Sequence, residues 1–385
     1  MIDIKLKKDC CGCTACEEVC PKNAIRMEAD DKGFIYPQVD KSKCIDCNLC
    51  DKVCPIVNKK AEIKNNIVAY ACYNRNREIK MNSSSGGVFT LIANHILDDN
   101  GVVFGVKFDE HFNAVNGYIE SKEELYKFRG SKYVQSSMSD CYKIAKAKLD
   151  EGRKVLFTGT PCQIEGLNSF LRKRYENLYT QDIICHGVPS PLIWKKYLSK
   201  KSNIEGSKIT NVNFRNKSIS WQNFSMKIEY ENGKVYDVSH SKDLYMKAFI
   251  SDLILRDSCY NCNFKKMNRI SDFTLADFWG IRKIFPNIEC KEGMSLLILN
   301  SENSKKIFEE IKEDLVCYDV DVNRAIEGNQ SMIKSAKENK KRENFFEEIS
   351  QDKDINEIII RYTKTSKISY IKRRTKSLLK KILKK

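Results

Sequence analysis

The 385-residue sequence lacks several features that would assign it to a class directly. No run reaches the ~18 apolar residues that a membrane-spanning helix needs, and Met1 to Lys8 contain no apolar region of a secretory signal. No G-x-G-x-x-G motif is present, which disfavours a Rossmann-type dinucleotide site. Asp and Glu are missing from Arg361 to Lys385, which hold eleven Lys or Arg and supply most of the net charge of +16. The rest of the chain is only mildly basic, so a nucleic-acid-binding protein is disfavoured.

Eight cysteines stand near the start of the chain in two runs of equal spacing. Each run reads C-x2-C-x2-C-x3-C-P, the bacterial ferredoxin pattern for [4Fe–4S] clusters, in which the fourth cysteine binds the cluster of the other run. We therefore expect one cluster on Cys10, Cys13, Cys16 and Cys54, and another on Cys44, Cys47, Cys50 and Cys20.

Zinc knuckles are the alternative for these runs. Zinc sites combine two Cys-x2-Cys pairs across a longer gap, whereas each run here has three ligands at short spacing and a fourth followed by proline. Iron–sulfur clusters are therefore favoured, and Cys11, which fits no ligand position, is interpreted as a bystander. Metal-like spacing in a chain of seventeen cysteines indicates a reducing cytoplasm rather than a disulfide framework.

Beyond a polar linker at 56–66, strand-like and helix-like segments alternate, which predicts an α/β core with some parallel strand pairing. Strands are predicted at Val102–Phe108, Lys154–Thr160 and Tyr179–Cys185, and helices from Val88 and Pro161. Later segments are strand-like, and Asn232-Gly233 predicts a hairpin. We predict an α/β fold, α+β overall: a ferredoxin-like domain at 1–60, a mixed α/β flavin-binding domain at 67–326, and a charged helical tail at 330–385.

Four later cysteines form a second candidate metal site. Cys162 lies at a strand-to-helix turn, Cys185 ends the next strand, and Cys259 and Cys262 form a Cys-x2-Cys pair. Neighbouring parallel strands would bring the two turns to one sheet edge, and four thiolates are enough for a third [4Fe–4S] cluster. Three alternatives stay open: a reactive nucleophile at Cys162, a zinc site, and buried core cysteines. Four cysteines stand alone and are interpreted as core residues: Cys72, Cys141, Cys290 and Cys317.

One-electron clusters need a two-electron partner to act on an organic substrate, and a flavin is the usual converter. The segment at 83–87 (SSSGG) precedes a predicted helix, so its hydroxyls and free N–H groups could bind a phosphate. The segment at 129–133 (RGSKY) adds two cations, a hydroxyl and an aromatic ring. The alternative is that the serines only cap the helix and the second segment is a solvated loop.

Six segments together resemble the beta subunit of coenzyme F420 hydrogenases and dehydrogenases, a family that includes plant-type 7-hydroxymethyl chlorophyll a reductases. They are SSSGGVFT (83–90), FRGSKYVQS (128–136), TGTPCQIEGL (158–167), DIICHGVPSP (182–191), CYNC (259–262) and TLADFWG (274–280). The resemblance covers about 67–326 and implies a domain that carries FAD and a [4Fe–4S] cluster on the four later cysteines. We assign to cofactor binding Ser84, Ser85, Gly86, Gly87, Arg129, Ser131, Lys132, Tyr133, Thr158, Gly159 and Thr160.

These features predict a cytoplasmic iron–sulfur flavoprotein that passes electrons between clusters and FAD to reduce or oxidise an organic substrate or a deazaflavin-type coenzyme. The expected donor is a ferredoxin-like redox protein, and the substrate is a small or lipid-linked molecule. Two alternatives remain: an electron-transfer subunit whose catalytic partner is another chain, and a redox-sensing adaptor without flavin. His186 follows a proposed ligand and is either a proton donor or an ordinary loop residue.

The basic segment at the end of the chain carries Ile and Leu at helical spacing. Ile368, Ile371, Leu378, Leu379, Ile382 and Leu383 recur among its lysines and arginines. This pattern is typical of an amphipathic helix on an anionic membrane surface. A solvated tail or a helix packed on a partner subunit is the alternative.

Overall fold

The structure is a computed structural model that describes residues 1–59, 66–351 and 353–364. Its strands are β1 (Ile25–Ala29), β2 (Ile35–Val39), β3 (Val68–Asn74), β4 (Val102–Phe108), β5 (Ala114–Ile119), β6 (Val155–Gly159), β7 (Leu178–Ile183), β8 (Ile209–Asn216), β9 (Ser225–Tyr230), β10 (Val235–Ser239), β11 (Phe273–Asp277), β12 (Ser295–Leu299) and β13 (Leu315–Val320). Its α-helices are α1 (Ala15–Glu18), α2 (Leu49–Val53), α3 (Arg77–Met81), α4 (Val88–Asp98), α5 (Cys141–Asp150), α6 (Pro161–Leu171), α7 (Pro191–Glu205), α8 (Leu244–Ile250), α9 (Ile281–Ile284), α10 (Glu302–Ile311), α11 (Val322–Glu327), α12 (Arg342–Ile349) and α13 (Ile355–Thr363).

The core contains a mixed eight-stranded sheet in the order β13-β3-β12-β11-β7-β6-β4-β5. Strands β4, β6, β7 and β11 pair in parallel, and the flanking pairs are antiparallel. In sheets of this kind, ligands bind beyond the carboxyl ends of the parallel strands. The turns that follow β6 and β7 are therefore placed where a site is expected.

Helices cover both faces of this sheet. On one face α4 and α10 pack together, and α4 illustrates why: Val88, Ile92 and Ile96 recur every fourth residue and are all buried. The helix ends where the Gly101 N–H reaches back to the Ile96 carbonyl oxygen. On the other face α5 and α6 pack through a second cluster of buried side chains.

A separate cluster surrounds Trp194 of α7. It joins the three-stranded antiparallel sheet β10-β9-β8 to α8, α12 and α13. Phe345 and Ile358 of the last two helices are fully buried there. The described part of the predicted tail therefore belongs partly to the core, because its apolar side chains are covered by α7 and α8.

The ferredoxin-like region contains the hairpin β1–β2 and packs against the core through several polar contacts. The Glu18 carboxylate accepts hydrogen bonds from the first N–H groups of α5, those of Tyr142 and Lys143, over 2.9 and 3.0 Å. The Ser190 hydroxyl donates to the Lys32 carbonyl oxygen. Together these contacts hold the region over the helices α5, α6 and α7.

The predicted α/β fold with partly parallel pairing is confirmed, as is the hairpin at Asn232-Gly233, which joins β9 to β10. Strand β13 was not predicted, and the predicted continuous helix from 330 is interrupted by irregular backbone at 335–339. The basic segment after Lys364 lies outside the described residues. No helix in the described part of the chain is long and apolar enough to cross a bilayer.

Candidate functional site

The two N-terminal cysteine runs line two separate cavities. One is lined by Cys10, Cys13, Cys16 and Cys54, and the other by Cys20, Cys44, Cys47 and Cys50. This is the crossed grouping that the ferredoxin pattern predicts. Backbone N–H groups already point to two of the sulfurs: that of Ile2 lies 3.2 Å from Cys50 Sγ, and that of Ala24 lies 3.3 Å from Cys20 Sγ. Such N–H groups stabilise the charge of a bound cluster.

The four later cysteines line a third cavity. Cys162 is the second residue of α6, Cys185 lies just beyond β7, and Cys259 and Cys262 flank the end of a short 3-10 helix. The parallel pairing of β6 and β7 brings the first two together, as the sequence predicted. The Val188 N–H lies 3.3 Å from Cys259 Sγ, a third case of a backbone donor facing a sulfur.

The thiols of this third quartet are not activated for nucleophilic attack. Burial raises the pKa of the Cys185 thiol to about 12, although nearby Lys265 opposes that rise. The pKa of Cys162 is also raised, by a hydrogen bond with Cys11 and by burial. A reactive cysteine needs a lowered pKa, so the nucleophile alternative is disfavoured. A bound metal would hold these thiols in the thiolate form.

Cys11 lies between the first and third cavities and lines both. Its thiol is within hydrogen-bonding reach of Cys13 and Cys162. Its interpretation as a bystander is therefore incomplete, because it contacts proposed ligands of two different clusters. Its place in the sequence gives no signal of this, since the contact with Cys162 joins residues far apart in the chain.

The cysteines surround cavities rather than converge on a point. Within residues 1–59, 66–351 and 353–364, no three His, Cys, Asp or Glu side chains are grouped so that they could hold a single metal ion. A single zinc ion needs four ligands within ~2.3 Å of one point, whereas a cubane cluster presents four separate iron atoms to its thiolates. The residues present therefore fit a cluster.

The four isolated cysteines lie in the hydrophobic interior or at its edge. Cys72, Cys141 and Cys290 are buried, and Cys317 is half-buried in β13 opposite Cys72 in β3. None of them lines any of the five cavities described for this part of the chain.

A cavity of about 320 Å³ lies at the carboxyl edge of the parallel strands. Ten of the eleven residues assigned to cofactor binding line it: Ser84, Ser85, Gly87, Arg129, Ser131, Lys132, Tyr133, Thr158, Gly159 and Thr160. The two predicted segments meet there, because the Ser131 N–H donates to Ser84 Oγ over 2.7 Å. Gly86 is the exception. Its N–H donates to Ser295 Oγ, and it packs against the backbone of β3.

Lys132 supplies a buried amino group to this cavity. Its Nζ donates to the carbonyl oxygens of Lys127 and Arg129 over 3.0 and 2.9 Å. Burial lowers the pKa of Lys132 to about 7. The segment is thus a folded turn with an inward-pointing cation, which disfavours the solvated-loop alternative.

Gln181 of β7 also faces this cavity, and sequence reasoning did not select it. The residue is buried, and its Oε1 has no hydrogen-bond partner among the described residues. A buried amide oxygen without a partner is unfavourable, so a donor from a bound group is expected there. The signal in the sequence is a glutamine within the predicted strand Tyr179–Cys185.

A larger cavity of about 580 Å³ adjoins the first. The two share walls that include Lys132, Tyr133, Thr160 and Asp277. Four aromatic residues line the larger cavity: Tyr133, Phe224, Phe249 and Trp279. Such a mixture of aromatic walls and a few polar groups is typical of a site for an organic molecule.

Arg215 and Asp277 form a buried ion pair at the wall of this larger cavity, and sequence reasoning missed it. Arg215 Nη2 lies 2.9 Å from Asp277 Oδ1, and the indole N–H of Trp221 donates to the same oxygen. The Asp277 carboxylate and nearby Tyr133 outweigh burial and keep the pKa of Arg215 raised. The two residues are on strands of different sheets, so no local pattern joins them.

His186 lines both the third cysteine cavity and the larger cavity. Its Nε2 lies 2.6 Å from Asp252 Oδ1, and its Nδ1 lies 3.4 Å from Ser331 Oγ. The histidine is therefore held in place by two side chains rather than placed in an open loop. The choice between a proton donor and a structural histidine stays a prediction.

The sequence matches known protein families over most of its length. Residues 69–143 and 152–323 match family models described as the beta subunit N-terminus and C-terminus of coenzyme F420 hydrogenase/dehydrogenase. Residues 9–57 match a 4Fe–4S dicluster domain. A chain from the F420-reducing [NiFe] hydrogenase complex of Methanosarcina barkeri shares 16% identity at a TM-score of 0.46, over 70% of this chain and 91% of that one. No curated protein matches the sequence.

Proposed function

Because the chain belongs to the coenzyme F420 hydrogenase/dehydrogenase beta-subunit family and carries a 4Fe–4S dicluster domain, we propose that it is a ferredoxin-linked flavoprotein oxidoreductase. When bound, three [4Fe–4S] clusters would carry single electrons, and FAD would link these one-electron steps to two-electron chemistry on an organic substrate. The family makes the chain an iron–sulfur redox subunit; FAD and the substrate are the proposed part.

The 320 Å³ cavity fits the anionic part of a flavin nucleotide. Ser84 and Ser131 offer hydroxyls, and Arg129 and Lys132 offer positive charge at one wall. Gly87 has a φ of +83° and lies immediately before α4, an eleven-residue helix whose first N–H groups are available to a phosphate. The lining also includes apolar side chains such as Leu275, which suit a flat ring.

The observation that carries the proposal is the contact between the cofactor cavity and the third cysteine quartet. Thr160 lines the cofactor cavity, and its Oγ1 lies 3.1 Å from Cys162 Sγ. The cofactor cavity and the larger cavity share Thr160, and the larger cavity shares Cys185 with the third cysteine cavity. Electrons, a flavin and a substrate could therefore meet without any rearrangement of the chain.

The larger cavity is the proposed substrate site. Its volume of about 580 Å³ is that of a site for a small organic molecule, and its aromatic walls suit a planar substrate. Arg215 and Asp277 neutralise one another at its wall, so they position polar groups rather than add net charge. A deazaflavin-type coenzyme is one candidate for this site, and a lipid-linked molecule is another.

The test is anaerobic purification of the full chain followed by analysis of iron, sulfide and flavin. We expect about twelve iron atoms and one FAD for each chain, because twelve cysteines form three quartets. Addition of reduced ferredoxin should bleach the flavin absorption, and a screen of electron acceptors would then define the substrate. A folded, iron-loaded protein that never binds flavin would refute the proposal, as would zinc in the third quartet.

The second candidate is an electron-transfer subunit whose catalytic partner is another chain. The matched family is described as a beta subunit, and this favours partner subunits. The larger cavity favours the enzyme, because a subunit that only relays electrons needs no substrate site. Turnover of an acceptor by the isolated chain would separate the two candidates.

A further inference from the structure

Arg256 is a buried cation at the junction between the ferredoxin-like region and the α/β core. Its side chain is 0% exposed, and it directly precedes the 3-10 helix Asp257–Asn261, which carries Cys259. Its Nε donates to the Cys10 carbonyl oxygen over 2.9 Å. The backbone of Arg256 is therefore continuous with the helix that carries Cys259 of the third quartet, and its guanidinium group contacts Cys10 of the first quartet.

The guanidinium group of Arg256 lacks the partners that a buried arginine normally has. Its Nη1 and Nη2 are buried without a hydrogen-bond partner in the described part of the chain. One flat face lies 4.1 Å from the ring centroid of Tyr36, which contributes a cation–π contact but no full negative charge. An unpaired buried cation is strongly unfavourable, so a negative charge is expected beside it.

Cysteines of the first and third quartets lie beside Arg256. The Arg256 carbonyl oxygen accepts a hydrogen bond from the Cys259 N–H over 2.9 Å, and the Arg256 N–H donates to the Val188 carbonyl oxygen over the same distance. The approach of the first cysteine run is close. A Cβ built on Gly12, whose φ is +71°, would lie 3.1 Å from Arg256 Cζ. A side chain at this position would therefore be strained in that backbone conformation and would press against the guanidinium group.

We propose that Arg256 is a shared counter-charge for the first N-terminal cluster and the third cluster, and that it makes both easier to reduce. This inference rests on the proposed function, since it requires both clusters. A cluster gains negative charge when it accepts an electron from the donor protein, and a fixed cation attracts that charge more strongly across a dry site than it would across water. Among the described residues, the contacts given for Arg256 involve none of the second N-terminal quartet. The potential of the second cluster should therefore not change.

The experiment is an EPR-monitored redox titration of the full chain after anaerobic cluster reconstitution. Arg256→Gln should make reduction of the first and third clusters at least tenfold less favourable, which is about 59 mV for a one-electron couple. Arg256→Lys keeps the positive charge, so the potentials of the first and third clusters should stay close to those of the wild type. The second N-terminal cluster serves as an internal reference and should keep its potential in both variants.

Arg342 offers a matched control, because it is another buried arginine. Its Nε and Nη2 both donate to the Leu255 carbonyl oxygen, and its Nη1 lies 2.7 Å from Asp257 Oδ1. Arg342→Lys keeps a positive charge beside Asp257 and removes a buried guanidinium group, so it should leave all three potentials unchanged. Equal shifts of all three clusters in Arg256→Gln, or no shift of the first and third, would overturn the inference. A wild-type chain with fewer than three clusters would instead refute the proposed function.

Discussion

At the scale of single residues, the fold changes the charge state of Lys132. Burial lowers its pKa to about 7, whereas a bound phosphate would stabilise the charged form. Below pH 7 the amine is already protonated, so binding needs no proton uptake. Above pH 7, FAD affinity should fall by up to about tenfold per pH unit, and fluorescence titration of the apo-flavoprotein would measure this.

The matched variants for this prediction are Lys132→Met and Lys154→Met. The first should lower FAD affinity at pH 6 by about tenfold and flatten the pH dependence, with iron content unchanged. Lys154 pairs with Asp99 away from the cavity, so its loss should change neither quantity. A steep pH dependence that persists in Lys132→Met would assign the effect to another group.

Cys11 gives a second prediction at this scale. Five cysteines line the third cavity, and a cubane cluster needs four of them. Cys11→Ser should therefore keep about twelve iron atoms for each chain, whereas Cys162→Ser should lower the count toward eight. Iron analysis and EPR of the anaerobic samples would measure both. Loss of iron in Cys11→Ser with full iron in Cys162→Ser would show that Cys11, and not Cys162, binds the third cluster.

Residues whose partners lie nearby in the sequence could be predicted, and those with distant partners could not. Cys-x2-Cys spacing is local, so the eight cysteines of the first quartets were found without a structure. The hydroxyl and glycine segment at 83–87 was found for the same reason. Arg215 with Asp277, and Arg256 with Cys10, are joined only by the folded chain, and no periodicity in the sequence connects them.

At the scale of elements, a glycine in α6 lets the ferredoxin-like region pack closely against this helix. Gly166 lies in the middle of this helix, where glycine normally costs ~1 kcal/mol relative to alanine. A Cβ at this position would lie 2.9 Å from Cys13 Cβ and 2.8 Å from the Tyr142 hydroxyl oxygen. The glycine therefore permits a close approach of the first cysteine run.

Gly166→Ala should destabilise the packing of this region by ~1–3 kcal/mol despite the better helix propensity of alanine. Limited proteolysis should then cleave between the ferredoxin-like region and the core more rapidly, and thermal unfolding should begin earlier. Gly117→Ala is the control, because a Cβ there meets only the flexible side chain of Lys107. A Gly166→Ala protein as protease-resistant as the wild type would show that the contact tolerates a methyl group.

Elements with a strong local pattern were predicted to within a few residues, and the others depended on their surroundings. Strand β4 has the predicted bounds, and α4 begins at the predicted residue. Strand β13 was missed although Leu315–Val320 contains strand-forming residues. It is half-buried because it lies at the edge of the sheet, beside β3. Helices α12 and α13 were predicted to belong to a charged tail because charged residues stand between their apolar residues. In the structure, those apolar residues pack on α7 and α8.

At the scale of the whole molecule, the segment at 365–385 gives a prediction independent of the site. It contains nine Lys or Arg and no Asp or Glu, with Ile and Leu at helical spacing. Each cation should contribute up to about 1 kcal/mol of attraction to an anionic lipid surface, and added salt should weaken it. Co-sedimentation with phosphatidylserine vesicles should be strong for the full chain and weak for a chain that ends at Lys364.

Neutral phosphatidylcholine vesicles are the control for that experiment. Equal sedimentation of the two chains, or of the full chain with both kinds of vesicle, would contradict membrane binding. It would favour a solvated or partner-bound tail. Truncation after Lys364 keeps α13, whose buried Ile358 and Ile359 belong to the core. The two chains should therefore unfold at the same temperature.

The position of β3 in the sheet has a consequence for how the protein is made. This strand is the first of the core in the sequence, yet its two neighbours are β12 and β13, which are the last. A ribosome therefore releases the ferredoxin-like region and β3 long before the partners of β3 exist. Residues such as Gly166 and Arg256, which cover the first cysteine run, also emerge later. Cluster assembly thus has an interval in which the first run is still accessible to the iron-delivery machinery, and also to oxygen.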